Sequence, residues 1–255
     1  MLEWRIHQMG PSTATTVGAV GDRPFDVVFL DAGGVLVSPH PDKVVERFAG
    51  SGFVVDPELL FEAHYRGVHA IDRARAAPED FGDYGAAYVR HLGLARSDGP
   101  DAIDPESVLV GLWAQSGLWT QPLPWAAEGL AAVAATGVPI VIVSNADGTV
   151  AELLPATGLL QVGPGPGVEV AAIVDSGAVG VAKPDPAIFH LALDLVGVPP
   201  ERAVHVGDAY QYDVLGARAA GVHPILVDPL GIRSDADCDR IASLLELPAL
   251  LLATT

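Results

Sequence analysis

The sequence predicts an α/β fold, a mostly parallel sheet carrying a helical insertion. Three observations predict it. Short apolar runs bounded by turn residues recur along the chain, as in strands buried on both faces. Helical stretches separate the later runs, and strands that alternate with helices mean βαβ units. Residues from about 41 to 120 break this pattern, with helical periodicity and no strong strand.

In chain order, Met1–Asp22 has a lone Arg5 and no apolar stretch, so it reads as an extension and not as a leader peptide. A cytoplasmic protein is then the default. Phe25–Leu30 is the first strand, ending in Asp31 and a Gly33-Gly34 turn. The segments PELLFEAHYRGVHAIDRARA, PEDFGDYGAAYVRHLGL and PESVLVGLWAQSGLW are helical. Val138–Val143, Val168–Val174, Arg202–Val206 and His223–Val227 are four further strands, and Gln161–Gly167 is a Gly/Pro loop. Asp-Pro pairs at Asp56, Asp104 and Asp185 mark helix starts. Thr149 and Glu152 have capping-box spacing, and Gly221 suits a left-handed helix end. The segment IASLLELPALL near the C-terminus reads as a docking helix.

Composition narrows the function classes. The chain has 255 residues, half of them hydrophobic, enough for a large core in one domain with a sizeable insertion. Fourteen basic residues against 32 acidic ones give a formal charge of −18. Such a surface repels polyphosphate, so nucleic acid and anionic membranes are excluded as general partners. No apolar run reaches the roughly 18–20 residues of a membrane span. The single cysteine, Cys238, rules out an internal disulfide; no partner motif makes it a nucleophile.

In a parallel sheet, ligands bind at the carboxyl ends of strands. Asp31 ends the first strand, Ser144 and Asn145 the second, and Asp208 the fourth, while Lys183 lies in the connection GVAKPDPAIF. A carboxylate can attack an electrophile and form a covalent intermediate. Two carboxylates repel unless a cation sits between them. Mg²⁺ takes oxygen ligands and is commonly held by one or two carboxylates and a substrate phosphate. A lysine and a hydroxyl would neutralise and orient phosphate oxygens.

Four segments, FLDAGGVL (29–36), VIVSNAD (141–147), VAKPDPAIF (181–189) and VGDAYQYD (206–213), follow one another in this order. Jointly they resemble the haloacid dehalogenase (HAD) superfamily. The resemblance implies a Rossmann-like core over residues 23–40 and 121–255, with a helical cap over 41–120. It implies Asp31 as the nucleophile, and Ser144, Asn145 and Lys183 as the phosphate-binding set. Lys183 also links the nucleophile to the phosphate. Mg²⁺ would be held by Asp31, Asp208 and the backbone carbonyl of Gly33, with Asp213 supporting the ion or its waters.

One departure matters. Phosphatases of this family carry a second Asp two residues after the nucleophile, where this chain has Gly33. General acid–base help is worth about 10²–10⁴ in rate, so phosphatase activity is expected to be weak unless His40, His64 or His69 substitutes. The same departure raises an alternative, a metal-independent 2-haloacid dehalogenase, for which Arg66, Arg73 and Arg75 are the candidate carboxylate binders. Retention of both Asp208 and Asp213 argues for Mg²⁺ and phosphoryl chemistry. A third reading is an inactive HAD-like binding or regulatory protein. The expected partner is a small phosphate ester, and the chain a monomer or homodimer. Trp113, Trp119, Trp125, Tyr84 and Tyr88 are expected to serve packing.

Overall fold

Six short strands form one all-parallel sheet. They are β1 (Val27–Leu30), β2 (Ile140–Ser144), β3 (Ala172–Asp175), β4 (Ala203–Gly207), β5 (His223–Val227) and β6 (Asp239–Ile241). Their spatial order is β6–β5–β4–β1–β2–β3. The chain therefore moves outward from β1 through β2 to β3, then returns to the other side of β1 for β4. That reversal leaves a crevice at the carboxyl ends of β1 and β4, the usual ligand position in such sheets. The structure, a computed structural model, describes residues 23–74, 82–96, 103–113 and 115–253. The N-terminal extension and Arg75 lie outside the described residues.

Both sheet faces are covered, which explains the continuous apolar runs. Val28, Leu30, Ile140, Ile142, Val204 and Val206 point to one face. There they meet α5 (Ala126–Ala135) and the C-terminal Leu244, Leu247 and Leu251. Val27, Phe29, Val141 and Val143 point to the other, against α8 (Pro186–Val196) and α9 (Leu215–Ala219). The alternation is the two-residue period of a strand. Leu247 and Leu251 lie in α10 (Leu247–Leu252), so the C-terminal segment docks as its apolar residues predict.

Between β1 and α5 the described chain builds the helices α1 (Pro41–Ala49), α2 (Leu60–Ala74), α3 (Gly82–His91) and α4 (Pro105–Trp113). They enclose an apolar cluster of their own, including Val44, Phe48, Ile71, Tyr88 and Leu112. Burying one such large side chain is worth about 1.5–3 kcal/mol. Tyr84 and Tyr88 stack with ring centroids 5.5 Å apart. Trp125 is buried and gives its indole N–H to the Val35 carbonyl at 3.0 Å. An antiparallel ribbon, Val37–Pro39 with Trp119–Pro122, ties the entry of this insertion to its exit.

The helix starts follow the sequence where a single side chain decides them. Asp56, Asp104 and Asp185 each accept backbone N–H groups of the following turn. Gly221 ends α9 with φ +75°. The Thr149 capping box does not form. The Thr149 hydroxyl turns to Asp147 Oδ1 at 2.5 Å, and Asp175 of β3 takes the Val150 N–H at 3.0 Å, at the start of α6 (Val150–Ala156). Asp175 also caps α7 (Ser176–Val179) through the Gly177 N–H. The run 168–174 is two strands and not one. Val168–Val170 pairs with Leu160–Val162, at the edges of the expected Gly/Pro loop, while only Ala172–Asp175 joins the main sheet.

Candidate active site

Parallel register brings the predicted residues to one edge. Leu30 pairs with Val206 and with Ile142, so Asp31, Ser144 and Asp208 emerge side by side from β1, β2 and β4. Asp31 is held by its own backbone: its Oδ1 accepts the Ala32 N–H at 2.7 Å. Its Oδ2 lies 2.9 Å from Lys183 Nζ. The same ammonium lies 2.6 Å from Asp213 Oδ1, and Lys183 is almost wholly buried. Burial pushes this ammonium toward neutrality, but Asp213 and Asp31 outweigh it and hold its pKa above the ordinary lysine value.

Lys183 is fixed at its main chain as well. The Asn145 side chain accepts the Lys183 N–H at 2.8 Å and donates to the Lys183 carbonyl at 2.9 Å. Both ends of the amide are thereby engaged. Asn145 thus positions Lys183, and both Ser144 and Asn145 line the cleft.

Asp213 has the most donors. Oδ1 accepts from Lys183 Nζ and from His205 Nε2 at 2.9 Å, and Oδ2 accepts the Ala209 N–H at 2.9 Å. Burial raises its pKa, but Lys183 and His205 outweigh that and hold it well below the usual carboxylate range. A widened helical turn over Tyr210–Val214 returns Asp213 beneath the end of β4. The nearby glycines are required. A Cβ on Gly207 would lie 2.1 Å from Asp213 Cγ, and one on Gly34, where φ is +67°, 1.9 Å from Asp208 Oδ2.

Ligand oxygens of Asp31, Asp208 and Asp213 all lie within 4.8 Å of one another. These carboxylates are buried around a single ammonium. Desolvation, together with the charges of Asp213 and Asp208, outweighs Lys183 and pushes the Asp31 pKa up to about 7. The cluster therefore has an excess of anionic oxygen, the donor set that Mg²⁺ takes. Asp31 and Asp208 keep lone pairs for such an ion, whereas Asp213 is bound to protein donors and supports the cluster from behind.

Of the three candidate histidines, only His64 reaches the cleft. It projects from α2 and bonds Asp208 Oδ2 through Nε2 at 2.8 Å. Its Nδ1 lies 3.0 Å from the Tyr84 hydroxyl, so both ring nitrogens are engaged. His40 sits before α1, and His69 lies in a separate groove with Asp72 and Arg233. Arg66 pairs with Glu62 on its own helix, and Arg73 is exposed; neither lines the cleft. Trp119 covers Gly33: a Cβ there would meet its ring at 3.2 Å.

Several participants were not legible beforehand. His205, two residues before Gly207, orients Asp213. Tyr65 donates its hydroxyl to the Gly34 carbonyl at 2.7 Å. Asp72 of α2 accepts the Tyr210 and Gln211 N–H groups at 3.0 and 2.9 Å, joining the insertion to the turn that carries Asp213. Each acts through a contact between distant segments, for which the sequence carries no local signal. Cys238 is half-buried, and burial pushes its thiol pKa up, against a nucleophilic role.

The parallel α/β sheet thus gathers a carboxylate, a lysine and two further acids at its carboxyl edge. The family model described as haloacid dehalogenase-like hydrolase matches residues 25–221, and the chain belongs to that family. It is 41% identical over 91 residues to the haloacid dehalogenase-like hydrolase domain-containing protein 3 of Bos taurus, covering 36% of this chain and 34% of that protein. It is 54% identical over 56 residues to a phosphoserine phosphatase of Thermus thermophilus, covering 22% of each. The aligned part thus spans about a third or less of these relatives' length. A HAD phosphatase from Thermococcus onnurineus superposes with a TM-score of 0.54 at 18% identity, over 89% of this chain and 98% of that one. At that identity the likeness shows the fold.

Proposed function

We propose that this hydrolase is a Mg²⁺-dependent phosphatase of a small phosphorylated molecule, working through an aspartyl-phosphate on Asp31. The observation that carries the reading is the shared mouth of Asp31, Lys183, Asp208 and Ser144, with Asp213 clamping the lysine from behind. Asp31 Oδ attacks phosphorus, the phosphorus–ester oxygen bond breaks, and the leaving alcohol oxygen carries off the electron pair and takes a proton from water. Lys183 holds the attacking carboxylate and, with the Ser144 hydroxyl, offers donors to the phosphate oxygens. Water then attacks phosphorus, the bond to Asp31 Oδ breaks, and inorganic phosphate leaves. Mg²⁺, held by Asp31, Asp208 and the Gly33 carbonyl, would neutralise phosphate charge during both steps. The helices over the sheet edge act as a cap that excludes water from the first step. The partial identity to a phosphoserine phosphatase supports phosphoryl chemistry.

The dehalogenase alternative has less support. Among the described residues lining the cleft there is no arginine to hold a haloacid carboxylate. The test is phosphate and halide release from panels of phosphate esters and 2-haloacids, with Mg²⁺ and with chelator, on the wild type and Asp31→Asn. Metal-dependent phosphate release that Asp31→Asn abolishes is expected. Halide release that survives chelation favours the dehalogenase, and silence on both panels favours a binding protein.

A further inference from the structure

One helix of the insertion reaches three parts of the core at once. On α2, His64 bonds Asp208 Oδ2 at 2.8 Å, Tyr65 donates to the Gly34 carbonyl at 2.7 Å, and Asp72 meets the turn after β4. His64 and Asp72 stand about two turns apart on one helix face. Val68 and Ile71, between them, line the cleft. A rigid helix sets these contacts together, so α2 docks as a unit.

The Asp72 contact differs in kind from the other two. The turn Tyr210–Val214 starts at Ala209, whose methyl group offers no cap. The first N–H groups of such a turn have no acceptor inside it. Asp72 accepts two of them: Oδ2 takes the Tyr210 N–H at 3.0 Å and Oδ1 the Gln211 N–H at 2.9 Å, across 138 and 139 residues of sequence. The Gln211 side chain donates to the Asp72 carbonyl at 3.4 Å. Asp208 precedes this turn and Asp213 lies in it, its own Oδ2 holding the Ala209 N–H at 2.9 Å. The core thus carries both acids on a segment whose start is capped from the insertion.

Asp72 is costly to bury. Its side chain is 7% exposed, and burial pushes its pKa up by more than Arg233 and the two backbone donors pull it down. Arg233 is presented to it by a folded loop: Asp228, just after β5, accepts the Ile232 and Arg233 N–H groups at 3.0 and 2.9 Å. Apolar residues would tie the two surfaces with less desolvation. What the carboxylate adds is a pair of acceptors aimed at the turn.

From this geometry, and resting on the phosphatase reading for its effect on rate, we infer that Asp72 is a positioning residue of the reaction centre. By capping the Tyr210–Val214 turn from the insertion, it makes the placement of Asp208 and Asp213 conditional on the docking of α2. Undocking withdraws the cap, and Asp208 and the Asp213–Lys183 clamp lose their register with Asp31. The centre is then assembled in the same state in which the insertion closes over the substrate. A misplacement of about 1 Å at such a centre costs about 10²-fold in rate.

The test compares Asp72→Ala, Asp72→Asn and Arg233→Ala with the wild type. The readouts are Mg²⁺ titration calorimetry without substrate, kcat and KM on para-nitrophenyl phosphate, and urea denaturation. All three variants break the Asp72–Arg233 pair, so all three should lose stability. Asp72→Ala also removes both acceptors. It should weaken Mg²⁺ binding by about 10–100-fold, the range for outer partners of a metal site, and lower kcat by a similar factor with KM little changed. Asp72→Asn keeps one acceptor oxygen and should fall between; it also decides the question if Asp72→Ala does not fold. Arg233→Ala keeps both acceptors and should hold Mg²⁺ affinity and kcat near the wild type. Asp72 variants that lose stability but bind Mg²⁺ and turn over like the wild type would make Asp72 a structural tie and overturn the inference. So would an Arg233→Ala that loses as much Mg²⁺ affinity as Asp72→Ala, since the ion pair and not the cap would then set the site. Either result leaves the phosphatase reading standing. A wild type that neither binds Mg²⁺ nor releases phosphate overturns that reading, and this inference with it.

Discussion

Lys183 sits between two carboxylates, at 2.9 Å from Asp31 and 2.6 Å from Asp213, with almost no solvent contact. Breaking a buried pair by removing one partner costs about 3–5 kcal/mol, because the remaining charge is uncompensated. Lys183→Met should therefore lose phosphatase activity and also destabilise the protein by about that amount in urea titrations. Adding Asp213→Asn removes one of the stranded charges, so the double variant should recover part of the stability and none of the activity. If Lys183→Met were as stable as the wild type, the buried triad would not be the electrostatic unit described here. At this scale the sequence was informative about identity and poor about partners. Asp31, Ser144, Lys183 and Asp208 each follow a strand end or lie in a recognisable segment. His205 and Tyr65 gave no signal, since what makes them matter is a residue on another element.

Elements were legible to the extent that hydrophobicity decides them. β1, β2, β4 and β5 are buried on both faces and read as apolar runs. β6 (Asp239–Ile241) is a short edge strand with two exposed charged residues, and the ribbon of Val37–Pro39 with Trp119–Pro122 is set by pairing alone. Neither has a pattern to read. That ribbon nevertheless shapes the site, because it places the Trp119 ring 3.2 Å from where a Gly33 side chain would begin. Overpacking of this kind costs about 1–3 kcal/mol. Gly33→Asp should be destabilised by about that much, and the loss should largely vanish in a Trp119→Ala background. The cycle is closed by Trp119→Ala alone. Additive effects in denaturation would mean the two positions are not in contact. Phosphate release by the same four proteins would report whether an acid at 33 raises turnover, as general acid–base help of about 10²–10⁴ would.

Across the whole molecule, the charge of −18 and the buried acidic cluster make stability depend on pH and, on the proposed reading, should make it depend on a divalent cation. The signs at the site oppose each other. Asp31 is pushed up to about 7 from an ordinary 3.8, so between those values the folded protein binds more protons than the unfolded chain. Its contribution to stability is fully present at low pH and is lost as pH rises toward 7. Asp213 is held below its ordinary value. Its contribution is present above that value and is lost as pH falls. A divalent cation at Asp31 and Asp208 competes with the Asp31 proton, so the thermal shift given by Mg²⁺ should grow between pH 5.5 and 8. With Mg²⁺ at 100 times its Kd the gain is about 2.7 kcal/mol, or roughly 5–11 °C in Tm for a chain of this size. Asp31→Asn, which keeps the shape and removes the charge, should be more stable than the wild type at pH 8 without metal, and its Mg²⁺ shift should be small and independent of pH. Differential scanning fluorimetry of both proteins across that range, with Mg²⁺ and with chelator, measures all of this without a substrate. A wild-type shift as small and flat as that of the variant would separate Asp31 from the cation and remove the electrostatic basis of the proposed reaction.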